Sequence, residues 1–96
     1  MTTETDRDRI TVTESGKVAI IATFHGPTNK DGSRITVRRA DGGGKRLTVR
    51  WNDALGQQEN YAHAVRLYLV EMEWGGRWTV GATRTGAVAT WAGWAE

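Results

Sequence analysis

RITVRRADGGGKRLTVRW, residues 34–51, alternates apolar and polar side chains twice, with a glycine-rich break between the two runs. Ile35 and Val37 alternate with Arg34, Thr36 and Arg38. Leu47, Val49 and Trp51 alternate with Arg46, Thr48 and Arg50. A period of two puts successive side chains on opposite faces of a strand. The break, Asp41-Gly42-Gly43-Gly44, offers residues that tolerate the positive φ of a chain reversal. The stretch therefore reads as a β-hairpin with one apolar face and one basic face. A slip of one residue would set apolar side chains opposite arginines, so the pattern selects one register. That register pairs Ile35 with Val49 and Val37 with Leu47. On the other face it pairs Arg34 with Arg50, Thr36 with Thr48 and Arg38 with Arg46.

Upstream, KVAIIATF (17–24) is rich in β-forming residues. Val18, Ile20, Ala22 and Phe24 share one face, and Ala19 and Ile21 make the other face apolar as well. Such a strand is expected at the centre of a sheet or covered on both sides. RITVT (9–13) alternates and predicts a short edge strand, and residues 1–8 read as a disordered charged tail. Downstream, Tyr61, Val65, Tyr68 and Met72 recur at helical spacing, with Ala62 and Leu69 widening the stripe. Gly56 suits the N-cap, Glu59 suits the positive end of the helix dipole, and WGG (74–76) ends the helix. RWTVGAT and AVATWA flank RTG as a second hairpin. The element order is (β)βββαββ. It predicts an α+β fold over residues 9–96, an antiparallel sheet of four to five strands with one helix packed on one face.

Composition narrows the setting. The chain has 96 residues, a formal charge of +2 and no cysteine. One domain is expected, with no disulfide framework and no thiolate metal site. No run approaches a membrane span, and the polar start MTTETDRDR is unlike a secretory signal. The expected location is the cytoplasm, with no membrane partner. Charge is unevenly placed: residues 30–50 hold seven basic side chains against Asp31 and Asp41. Such asymmetry bears on partners more than the total does.

Two features are candidates for a binding site. The first is the face carrying Arg34, Arg38, Arg46 and Arg50. Like charges directly opposite on a sheet are destabilising. Such a face is either solvated, neutralised by acids from a neighbouring element, or kept to bind an anion. A guanidinium binds phosphate through a planar fork, which suits a nucleic-acid backbone. An acidic protein surface is the alternative partner. The second feature is the polar loop in FHGPTNKDGSRI (24–35). It lacks the Walker pattern, because Lys30 precedes Gly32. Thr28, Asn29 and Asp31 can brace it internally, and Asn29 and Lys30 are placed to extend the basic face. No catalytic residue, metal ligand set or cofactor motif is identified. A Ser33–His25–Asp31 triad is too local to give the required geometry, and His63 falls on the polar helix face. Of the five tryptophans, Trp51 and Trp78 belong to the core. Trp74, Trp91 and Trp94 either belong to the core or cover an edge, or they offer stacking surfaces to a base or a protein.

IATFHGPTNKDGSRI, VRWNDAL and ENYAHA together resemble small uncharacterised proteins of actinobacteria and their phages and plasmids. The shared pattern is G-P-T-N-x-x-G-S-R-[IV], then W-[DN]-x-A-L, then E-N-[HY]-x-x-A. Asn52 stands where Asp is the commoner residue, and Tyr61 where His is. The resemblance implies a mobile-element setting and no particular chemistry. The sequence therefore points to a small non-enzymatic accessory protein that binds nucleic acid through Asn29, Lys30, Arg34, Arg38, Arg46 and Arg50. The alternative is a module that inhibits or redirects a host protein. Oligomeric state is left open.

Overall fold

The computed structural model describes residues 10, 12 and 16–94. The tail expected over 1–8 and most of the edge strand expected over 9–13 lie outside them. Ile10 and Val12 are described, and both are exposed. The elements are β1 (Ile20–His25), β2 (Arg34–Arg39), β3 (Leu47–Arg50), α1 (Gln57–Glu71), β4 (Arg77–Thr83) and β5 (Gly86–Gly93). They form one antiparallel five-stranded sheet in the order β3-β2-β1-β5-β4, with α1 on one face. The strand that is apolar on both sides, β1, is the central one, and it joins the two hairpins.

Register in the first hairpin follows the alternation. Arg34 faces Arg50, Ile35 faces Val49, Thr36 faces Thr48 and Val37 faces Leu47. The ladder stops there, so the pairing expected between Arg38 and Arg46 lies beyond β3. The turn explains why. Gly42 and Gly44 take positive φ of 81° and 72°. Asp41 folds back to accept the Gly43 N–H at 2.9 Å and both branches of the Arg39 guanidinium. The Arg39 guanidinium, helped by the Gly43 N–H, holds the Asp41 carboxyl below the usual carboxylate range. This clasp is present above the ordinary Asp pKa and is lost as pH falls through the lowered value.

The core lies between α1 and the sheet. Ile20 and Ala22 of β1, Ile35 and Val37 of β2, and Ala87 and Ala89 of β5 pack beneath Tyr61, Ala64, Val65 and Tyr68. Trp51 closes one end, edge-on to both Phe24 and Tyr61 at 5.1 and 5.8 Å between ring centroids. Tyr68 is fully buried, and its hydroxyl donates to the Lys45 carbonyl at 2.9 Å. Burial pushes its phenol above the usual value, with the nearby Arg39 charge opposing.

Two details of α1 differ from the sequence expectation. Ala62 is exposed, and the stripe is completed instead by Ala64 and by Asn60, a buried polar residue. Asn60 is tolerated inside because every group of its amide is used. Its Oδ1 accepts the Asn52 N–H at 2.9 Å. Its Nδ2 donates to the carbonyls of Asn52 at 3.0 Å, Leu55 at 3.3 Å and Gly56 at 3.1 Å. The side chain thus latches the loop 51–56 onto the helix. Asn52 and Glu59 complete the latch, accepting the N–H groups of Ala54 and Gly56. Asn60→Ala takes the side-chain partner from the Asn52 N–H and the Leu55 carbonyl, while the Asn52 and Gly56 carbonyls keep the N–H groups of Leu55 and residue 60, and it is expected to cost about 2–3 kcal/mol. Urea denaturation checks it, and Asn60→Asp should recover only the Oδ1 contact.

The helix also stops before its glycines. Met72 is the C-cap, and Glu73 takes the left-handed conformation at φ 59°. The Glu73 N–H donates to the Val70 carbonyl and the Trp74 N–H to the Leu69 carbonyl, the two bonds of a Schellman end. A non-glycine residue pays about 1 kcal/mol or more for that backbone. Glu73→Gly is therefore expected to raise Tm by about 4–8 °C, read in a thermal melt. No change or a fall would mean that the Glu73 side chain contributes contacts outweighing the strain.

Candidate nucleic-acid interface

The sheet has two faces, and α1 covers only one. Alternation sends Ile21, Thr23 and His25 of β1 to the other side, with Arg34, Thr36 and Arg38 of β2 and Thr48 and Arg50 of β3. No described element covers this side. Among the described residues it is an open face, and the basic half of the hairpin pattern forms one end of it.

The four arginines fall into two shallow depressions separated by the Thr36–Thr48 rung. Arg34, Thr48 and Arg50 share one of about 250 Å³ with Asp31, Gly32 and Ser33. Arg38 and Arg46 share one of about 290 Å³ with Gly42, Gly43, Gly44 and Lys45. Among the described residues none of the four arginines has an acidic partner. The ion pairs there join Arg39 to Asp41 and Lys45 to Glu71. Asp31 is the one carboxylate lining the arginine depressions, and it makes no ion pair with Arg34 or Arg50. Arg38 donates to the Arg39 carbonyl at 3.3 Å. Arg34 keeps its Nη1 out of solvent with no acceptor at all. An enclosed donor left unpaired costs about 1–3 kcal/mol, more for a charged group.

The loop 26–33 braces itself. The Thr28 N–H donates to the Asp31 carbonyl at 2.7 Å, and the Thr28 hydroxyl accepts the N–H groups of Lys30 and Asp31. This holds Asp31–Ser33 against the arginine face. The side chains of Asn29 and Lys30 stay exposed and do not line the depression. The motif residues of the resemblance thus have local structural work. Thr28 stiffens the loop, Asn52, Glu59 and Asn60 form the latch, and Tyr61 is core.

His25 is a member of the face that the sequence reading did not place there. Its Nε2 shares a 2.8 Å hydrogen bond with Thr36 Oγ1, on the rung between the arginine pairs. Strand alternation carried that signal, since His25 is opposite Arg34. It makes no hydrogen bond to Ser33 or Asp31, so the local triad is not assembled. His63 is exposed on the outer face of α1. No group of three potential metal ligands occurs among the described residues. No described helix is long and apolar enough to cross a membrane. Comparison with known proteins finds no matching family model, no matching curated protein and no matching solved structure.

Proposed function

We propose that this domain is a non-enzymatic nucleic-acid-binding protein that contacts the phosphate backbone through Arg34, Arg38, Arg46 and Arg50. The observation that carries the reading is one sheet face, covered by no described element, that carries Arg34, Arg38 and Arg50, with Arg46 beside Arg38 at the turn, all four without acidic partners among the described residues. A fold that sets like charges opposite each other at Arg34 and Arg50 loses stability unless an anion arrives. The orphaned Nη1 of Arg34 supports the same reading. Rows of guanidinium groups either side of a Thr–Thr rung suit a polyanion better than a single small acid. Lys30 and Asn29, on the adjoining loop, extend the surface for a long ligand. The mobile-element setting implied by the sequence resemblance is compatible with such a role.

Mobility shifts at two salt concentrations test the proposal. With about four phosphate contacts, log K against log salt should fall with a slope of about −3 to −4 on duplex DNA. Absence of binding at low salt would sink it. Capture of a host protein that survives nuclease treatment would favour an acidic protein surface as the partner instead.

A further inference from the structure

We infer that the domain prefers single-stranded nucleic acid and seats one unpaired base against a tryptophan-lined cavity at the end of the sheet. This inference rests on the nucleic-acid reading above.

The cavity, of about 520 Å³, lies on the helix side of the sheet. Trp74, Trp78, Trp91 and Trp94 line it, with Lys17 and Arg39. That gathers four of the five tryptophans, from the helix end, β4, β5 and the segment after β5. The volume suits a base-sized ligand. Trp74 and Trp78 stack at 6.1 Å and 12°, and Trp78 Nε1 is satisfied by the Gly75 carbonyl at 3.0 Å. These two rings form a fixed floor. Trp91 and Trp94 meet edge to face at 5.8 Å, and Trp94 is 65% exposed. An indole so placed leaves much of its surface open beside an existing aromatic wall.

The charges select the ligand class. Lys17 already sits over the Trp91 ring at 5.7 Å, and Arg39 over the Trp74 ring at 5.9 Å. Two of the ring faces are thus already occupied by the protein's own cations, which leaves little π-surface for a cationic guest such as a methylated ammonium. Arg39 is clasped to Asp41, and Glu73 also lines the cavity, so the pocket is no sink for a free anion. A flat, uncharged ring fits, provided its phosphate lies elsewhere.

That place is adjacent. Arg38 and Arg39 are consecutive on β2 and point to opposite faces. Arg39 walls the tryptophan cavity, and Arg38 walls the depression with Arg46 and the glycine turn. Trp94 lies two strands over from β2 and five residues beyond the level of Arg39, so a strand whose backbone runs over Arg38 and Arg46 must continue round this sheet end for a following base to reach Trp94. Bases in a duplex are already paired and stacked, and cannot enter. Base–aromatic stacking tolerates any sequence, so no sequence preference follows.

The test uses the full chain, a short oligothymidylate, a duplex of equal length and thymidine monophosphate, followed by tryptophan fluorescence. The oligothymidylate should quench the fluorescence and bind more tightly than the duplex. Trp94→Ala should weaken the oligothymidylate roughly tenfold or more and leave duplex affinity unchanged, while Trp94→Phe retains most of the binding. If salt-dependent binding persists but Trp94→Ala leaves the oligothymidylate affinity intact, the inference fails and the nucleic-acid reading stands. If the monophosphate quenches as tightly as the oligomer, the site serves free nucleotides and the inference also fails. If neither nucleic acid binds at low salt, both fall.

Discussion

Arg38→Glu combined with Arg46→Glu is expected to reduce nucleic-acid affinity roughly a hundredfold or more at low salt, with the salt slope flattening to about −2. Both side chains line the same depression beside the glycine turn, so the two changes convert an attractive site into a repulsive one. Neither residue belongs to the core, and neither takes part in the Arg39–Asp41 clasp. The fold should survive, and an unchanged far-UV spectrum would show that it does. Arg66→Glu with Arg84→Glu serves as the control, because these exposed arginines lie on α1 and at the β4–β5 turn. Their reversal removes the same net charge from other surfaces and should cost only a fewfold in affinity. Equal losses in both pairs would mean that overall charge, and no particular face, governs binding. Unchanged affinity in the first pair would remove the arginine face from the mechanism.

Gly86→Ala is expected to cost about 3 kcal/mol or more and to lower Tm by some 15 °C or more. Gly86 opens β5 where that strand passes β1, and Phe24 donates its N–H to the Thr85 carbonyl beside it. A Cβ at Gly86 would run into the Ala22 carbonyl oxygen and lie 3.1 Å from the Thr23 Cα. Those neighbours are backbone at the middle of the sheet, where no rotamer change can make room. Relief requires β1 and β5 to part, and their pairing is what joins the two hairpins. Gly81 provides the contrast: it is exposed in β4, and nothing lies within 4 Å of its would-be Cβ. Gly81→Ala should stay within about 0.5 kcal/mol of the parent. Equal denaturation midpoints for the two variants would show that the close approach is not what constrains Gly86.

How far the sequence could be read depended on the range of the interaction concerned. Strand alternation is local, so the Ile35–Val49 and Arg34–Arg50 pairings were legible before any coordinates. Helical spacing located Tyr61, Val65 and Tyr68 correctly. It misjudged Ala62 and missed Asn60, because an asparagine becomes a core residue only when a distant loop supplies its hydrogen bonds. The pattern puts the helix end at WGG (74–76), yet the helix stops at Glu71 and Glu73 adopts the left-handed turn. The bonds to Val70 and Leu69 and the stacking of Trp74 on Trp78 hold that residue where glycine would be the local choice.

The candidate site divides along the same line. That Arg34, Arg38 and Arg50 share a face is a property of alternation, and the sequence by itself determined it; Arg46, which precedes β3, joins Arg38 in the depression beside the turn. Whether that face would be open or neutralised was decided only by where α1 packs and where Glu71 and Asp41 find their partners. Asp41 turns to Arg39 and Glu71 to Lys45, which leaves the four arginines unclaimed among the described residues. The tryptophan cavity belongs wholly to the tertiary structure. Trp74, Trp78, Trp91 and Trp94 come from separate elements, and only the meeting of the helix end with β4 and β5 brings their rings together. Periodicity is written into neighbouring residues because backbone geometry repeats along the chain. Charge pairing and aromatic clustering are not, because they depend on which faces the fold brings into contact.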